Sequence, residues 1–294
     1  MHEYAFSIAD APFRVTSDCP IDFTQSVLSP PGESGSKKEI ALRVRETETP
    51  SPQGSFLAES AGKRFYRTPD GVCVLLMDYR TNLPIVRALC RPNSAELDVS
   101  RAYRRTDGSL NGETLLSALD LPYLLLHRDA LVLHAASIER EGEAVLFSAP
   151  SGTGKSTQAA LWEKYRGAKQ LNGDKVAVGL SGAQAMAYGF PFCGTSGISC
   201  DYRLPLRALI FLRQAPENRI RRLRGAEALK ELLDNAFGHD ALPAYVERML
   251  ACAAGLLEVI PAYRLSCTPD ERAVQTLENV LKENENGHTV PAIH

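Results

Sequence analysis

The chain has 294 residues, 44% of them hydrophobic and 23% charged, an ordinary balance for a globular protein and not that of a wholly disordered one. Its 33 basic and 35 acidic residues leave a net charge of −2, which supplies no broad cationic surface for nucleic acid or an anionic membrane. No apolar run reaches the ~18 residues that span a bilayer, the opening MHEYAFSIADAPFRV lacks the apolar core of a signal peptide, and the seven cysteines contain no C-x-x-C pair. A disulfide framework and a zinc site are therefore poorly supported, and a cytoplasmic setting is expected.

Residues 1–110 read mainly as strand. Ile40, Leu42 and Val44 alternate with Ala41, Arg43 and Arg45, which places one apolar face at period two. VCVLLMD (72–78) continues the theme, and the Pro-, Gly- and Ser-rich stretches at 29–38 and 49–55 mark loops. A small antiparallel sheet is expected here. The leucine-rich 114–127 predicts a helix bent or interrupted at Pro122. From Leu131 the pattern changes to strand, Gly-rich turn and amphipathic helix. Strands are expected at 131–138, 144–149, 175–180 and 206–213, and helices at 155–165, 226–237 and 241–257. A last helix begins near Thr268, with Thr268 as N-cap, Pro269 at its first position and Glu271 as the capping-box acid. The tail after it is polar and expected to be frayed.

The most informative stretch is SAPSGTGKSTQAALW, Ser148 to Trp162, where an apolar strand runs into a Gly-rich turn and then a helix. This is the context that a phosphate-binding P-loop requires. Gly152 and Gly154 let successive N–H groups curl around phosphate oxygens, and the helix beginning near Lys155 aims its positive end at the same anion. The nucleotide-binding residues are read as Ala149, Pro150, Ser151, Gly152, Thr153, Gly154, Lys155, Ser156 and Thr157. Lys155 supplies charge for the β- and γ-phosphates, and the Ser156 hydroxyl is placed to ligate Mg²⁺. Ala149 stands where the formal pattern has Gly, which predicts a slightly altered entry to the loop.

LSGAQ (180–184) imitates the signature of an ABC-type ATPase, but it follows a strand and reads as a hairpin turn too close to the loop for a helical insert. No N-K-x-D motif supports a GTPase. The flanks LVLHAASIEREGEAVLFSAPSGTGKST, LNGDKVAV, AYGFPFCGTSG and LPLRALIFLRQ resemble the C-terminal catalytic domain of HPr kinase/phosphorylase and the wider HPr-kinase-like set, whose nucleotide core is shared with phosphoenolpyruvate carboxykinase. The resemblance covers roughly 114–284, and the N-terminal part has no such likeness.

The resemblance implies an α/β P-loop kinase domain over 111–284; the residue patterns place a small β-rich N-terminal domain over 1–110 before it and a disordered tail over 285–294 after it. In that family an Asp–Asp pair follows the P-loop helix and serves metal binding and activation of the acceptor hydroxyl. Here the matching stretch is NGDK, with one carboxylate, Asp174. Either Gly173 replaces the first acid or Lys175 replaces the second. Asp174 is read with Ser156 as the metal site, and Asp174, His134 and Lys155 as the catalytic set, with Asp174 and His134 both open as the base. The loop 194–197 resembles the family's second active-site loop, near the acceptor. The implied activity is ATP- and Mg²⁺-dependent transfer of the γ-phosphoryl group to a hydroxyl, a serine foremost, of a peptide, protein or small molecule. The alternatives are an ATP-responsive partner-binding protein and a simple ATPase. Nucleic acid and membrane are not expected partners, and self-association is left open.

Overall fold

The computed structural model describes residues 1–24, 28–30, 38–239 and 242–285. The expected tail after Glu285, most of the 29–38 loop and the Thr195 side chain lie outside the described residues. The chain forms two compact units, Met1–Leu131 with Gly238–Met249, and Val132–Phe237 with Leu250–His294.

The first unit is β-rich. Strands β1 (His2–Ile8), β2 (Ala11–Ser17), β3 (Ile21–Asp22), β4 (Ile40–Thr47), β5 (Ser55–Ser60), β6 (Lys63–Thr68), β7 (Gly71–Met77), β8 (Pro84–Arg91), β9 (Ser94–Ser100) and β10 (Leu110–Asn111) precede the helices α1 (Gly112–Ala118) and α2 (Leu121–Leu126). An eight-stranded sheet runs β1-β2-β4-β9-β8-β7-β6-β5. It is mixed rather than antiparallel, because β2–β4 and β4–β9 pair in parallel, with Val15 opposite Leu42 and Val44 opposite Leu97. The four-strand meander β5–β8 lies between β4 and β9 in sequence, and its return brings β9 beside β4 in the same direction. The period-two face at Ile40, Leu42 and Val44 is buried as its alternation requires.

The leucine-rich segment is interrupted rather than bent, forming two helices, with the break just before Pro122. Leu119 and Asp120 leave the helix, and the Asp120 carboxylate caps Tyr123 N–H at 3.1 Å. Pro122 then sits in the first turn, where its missing N–H costs nothing.

The second unit contains β11 (Ala130–Arg140), β12 (Glu143–Ser148), α3 (Lys155–Arg166), β13 (Lys169–Asn172), β14 (Lys175–Ser181), β15 (Gln184–Tyr188), β16 (Arg203–Gln214), β17 (Arg219–Leu223) and α4 (Gly225–Asp234). The second half of α5 (Pro243–Val259), β18 (Ala262–Cys267) and α6 (Glu271–Glu285) complete it. Its strands run β12-β11-β14-β15-β16-β18-β17, with β13 on β11 and β12 also paired to β16. The mixed α/β organisation centres on β12, β16 and β18, which run parallel, with Phe147 opposite Ile210 and Ile210 opposite Tyr263. Val145, Phe147, Ile210, Leu212 and Leu265 join Ala159 and Trp162 of α3 and Val274 and Leu277 of α6 in one core. Side chains from the middle of parallel strands are buried, as such a sheet demands.

LSGAQ is the β14–β15 hairpin turn, with Ser181 opposite Gln184. The cap of α6 differs from the sequence expectation. Asp270, not Thr268, caps it, its carboxylate accepting Ala273 N–H at 3.3 Å. Thr268 is held elsewhere: its N–H donates to Asn218 Oδ1 at 3.0 Å and its hydroxyl accepts Asn218 Nδ2 at 2.9 Å. Among the described residues no helix is long and apolar enough to cross a membrane, and all seven cysteines are free.

Candidate functional site

The Gly-rich loop joins the end of β12 to the start of α3. Ser148, fully buried, fixes the strand end by donating to the His134 carbonyl of β11 at 3.0 Å. Ala149 is fully buried and its backbone is not left-handed, so no glycine is needed there. Thr153 N–H closes a turn on Pro150 O at 3.3 Å. Gly152 (φ +77°) and Gly154 (φ +114°) carry the chain through left-handed backbone that a side chain would resist. A Cβ on Gly152 would meet no atom within 4 Å, so the loop borders open space. No side chain caps the N-terminus of α3, and its first-turn residues Ser156 and Thr157 are exposed, as is Ser151. The end of β16 braces this loop, Gln214 Nε2 donating to Gly152 O at 3.3 Å and Thr153 O at 3.5 Å.

Lys155 opens α3 with its side chain folded inward. Its ammonium donates to Ala149 O at 2.9 Å and Pro150 O at 3.4 Å. Burial pushes its pKa below the usual lysine range, an effect that the negative charge of Asp174 opposes.

Asp174 lies in that turn, and Asn172 holds it there. Asn172 Oδ1 accepts the N–H groups of Asp174 (2.9 Å) and Lys175 (3.1 Å), while its Nδ2 donates to Phe192 O at 3.2 Å and to Phe190 O and Ser199 Oγ at 3.4 Å. Ala135 N–H of β11 donates to Asp174 O at 3.0 Å. The carboxylate faces two basic groups. Oδ1 is 3.4 Å from His134 Nε2, and Oδ2 accepts from the Lys175 ammonium. The His134 contact draws the Asp174 pKa well below the ordinary carboxylate range, against the cost of burial and with help from Lys175. The imidazole lies 6.1 Å from the Phe237 ring, and the Lys175 ammonium sits 5.3 Å from the same ring centroid.

The loop 194–197 closes on this turn from the other side. A Cβ on Gly194 (φ +58°) would meet Cβ, Cγ and Oδ2 of Asp174 at 2.7, 2.7 and 2.9 Å. A Cβ on Gly173 would meet Ser196 Oγ at 2.1 Å, and Ser196 is itself fixed by donating to Cys193 O at 2.7 Å. Position 173 therefore has no room for a side chain unless Ser196 moves, and Lys175 faces Asp174.

His134, Asp174 and the 194–197 loop are thus together, and Lys155 is electrostatically linked to Asp174. Among the described residues no three His, Cys, Asp or Glu side chains gather as a metal cluster. Sequence reasoning missed three contributors: Asn172 as holder of the turn, Lys175 as partner of Asp174, and Gln214 as brace of the loop. Asn172 was within the quoted NGDK, and an Asn two residues before an acid is a recognisable Asx-turn signal.

Residues 115–282, more than half of the chain, match the family described as SynChlorMet cassette protein ScmC. Among solved structures, the HPr(Ser) kinase/phosphatase from Coxiella burnetii is similar over 53% of this chain and 96% of its own, at 12% identity and a TM-score of 0.31. No curated protein matches the sequence.

Proposed function

The chain belongs to the SynChlorMet cassette protein ScmC family, and for this member we propose ATP-dependent transfer of a phosphoryl group to a hydroxyl, that of a serine foremost, on a peptide, protein or small molecule. The observation that carries the reading is the β12–loop–α3 unit: two left-handed glycines, open space beside Gly152, an uncapped helix start and Lys155 within one turn. These features suit a phosphate, because uncapped N–H groups and the helix dipole both favour an anion. The loop is accordingly read as a P-loop formed by residues 149–157.

The site offers Mg²⁺ few protein ligands, since among the described residues no three His, Cys, Asp or Glu side chains gather. Ser156 and Asp174 would offer one hydroxyl and one carboxylate, and Mg²⁺ commonly keeps several waters and takes its remaining ligands from phosphate. Bound there, the ion would neutralise charge on the phosphate oxygens. Lys155 supplies a fixed positive charge from a partly desolvated position, where it acts more strongly than in bulk water. Asp174 orients the His134 ring, which leaves the imidazole to take the proton of an incoming hydroxyl. The 194–197 loop, packed against Asp174, forms the wall on the acceptor side.

Incubation with γ-labelled ATP and serine-containing acceptors tests the reading. Label should reach the acceptor with the native chain and not with Lys155→Ala, and Asp174→Asn should lower transfer about 10²-fold or more. Nucleotide binding without any labelled product would favour the second reading, an ATP-responsive binding protein. One observation speaks for it: both carboxylate oxygens of Asp174 already face basic side chains. Label released only as inorganic phosphate would mark a simple ATPase.

A further inference from the structure

A cavity of about 550 Å³ in the second unit is not used by the site described above. One wall is the turn after β16, and the other is the segment that leads from β18 into α6. Both strands run parallel to β12, so both walls stand at the same end of the sheet as the Gly-rich loop. Two contacts show how near they are. Gln214, the last residue of β16, donates to Gly152 O and Thr153 O, and the first wall begins two residues later at Pro216. Gln158, near the start of α3, donates to Cys267 Sγ at 3.3 Å, and the second wall begins at the next residue, Thr268. In open parallel sheets, ligands settle outside the carboxyl ends of the strands.

Asn218 ties the two walls together. Its Nδ2 donates to Thr268 Oγ1 at 2.9 Å and to Asp270 Oδ1 at 3.2 Å, and its Oδ1 accepts Thr268 N–H at 3.0 Å. The rim is therefore fixed from within. The other oxygen of Asp270 is 4.0 Å from the Arg272 guanidinium, beyond hydrogen-bond distance. Gln275 and Asn279 line the cavity one helical turn apart on α6, and neither amide has a hydrogen-bond partner among the described residues. An amide sets a donor beside an acceptor. Adenine presents the matching pair, an N6 donor beside the N7 acceptor, whereas guanine presents two acceptors on that edge. A carboxylate suits the hydroxyls of a ribose.

We propose that this cavity seats the nucleoside part of a nucleotide whose phosphates lie on the 149–157 loop, with Asp270 accepting from the ribose and Gln275 and Asn279 reading the adenine edge. This rests on the phosphate-loop reading above and deepens it, because it names the base that the site selects.

Calorimetric titration of the full chain with ATP, GTP and inorganic tripolyphosphate separates the two halves of the ligand. ATP should bind about tenfold more tightly than either of the others, the scale of one well-made amide–base pairing. The double variant Gln275→Ala, Asn279→Ala should lose that tenfold for ATP and keep the native affinity for tripolyphosphate. Both side chains are exposed and alanine favours helix, so the variant keeps its fold. Asp270→Asn, which retains a capping side chain for α6, should weaken ATP about threefold and leave 2′,3′-dideoxy-ATP unaffected. The nucleoside seat is overturned if tripolyphosphate binds as tightly as ATP, if GTP equals ATP, or if the double variant holds ATP with native affinity. Native protein that binds neither ATP nor tripolyphosphate would overturn the phosphate-loop reading itself, and the seat with it.

Discussion

The two sides of the candidate site are built in opposite ways. Around Gly152 the loop borders empty space, and its glycines serve backbone conformation alone. Around Asp174 the glycines serve proximity: Gly173 and Gly194 let two chain segments approach until no methyl group fits between them. The open side suits the cradle proposed above, which would have to admit a ligand. A carboxylate that must point one way is walled in. The same residue type thus carries two physical roles within one site, and substitution separates them.

The largest effect is expected on the crowded side. Gly173→Ala and Gly194→Ala each push a methyl group into Ser196 or Asp174, and Gly194 adds a left-handed backbone. Each should cost about 2–3 kcal/mol in urea unfolding, and phosphoryl transfer should fall in parallel. Normal stability in both variants would break the comparison. Next comes Asn172→Ala, which strips the acceptor from two backbone N–H groups and should cost about 2 kcal/mol.

Asp174 supplies a pH signature. Its folded pKa is depressed, so its contribution to stability is complete above the ordinary carboxylate value and drains away as pH falls through the lower native one. Acid unfolding of Asp174→Asn should be less steep than that of the native chain below about pH 4. The smallest change belongs to the open side. Gly152→Ala meets no atom, so only left-handed strain of about 1 kcal/mol is expected in unfolding. Its nucleotide affinity should fall further than its stability does, which an equilibrium binding titration would reveal.

Local chemistry made much of this legible in the sequence. The helix after the loop, read as 155–165, spans Lys155–Arg166 and ends on the left-handed Gly167. The LSGAQ turn and the alternating strand at Ile40–Val44 depend on neighbours a few residues away, and both are seen. What was not legible depends on distant partners. Thr268 loses the cap of α6 because Asn218 reaches it from about fifty residues away. The parallel pairing of β4 with β9 is decided by where a four-strand meander returns, which no local period encodes. Lys175 was visible beside Asp174, but its direction was not. In an extended strand successive side chains point to opposite faces, and only the turn that Asn172 imposes brings these two together.

Gln214 has a consequence for how the loop between β12 and α3, proposed above to hold phosphate, is specified. In a trans peptide plane the oxygen and the hydrogen lie on opposite sides. By gripping the oxygens of Gly152 and Thr153, the Gln214 amide therefore helps to set where the hydrogen of Gly154 aims, that of Thr153 being engaged by Pro150 O. The aim of that donor is written partly sixty residues downstream, at the tip of a neighbouring strand, so the glycine–lysine spelling of the loop is only half of its instruction.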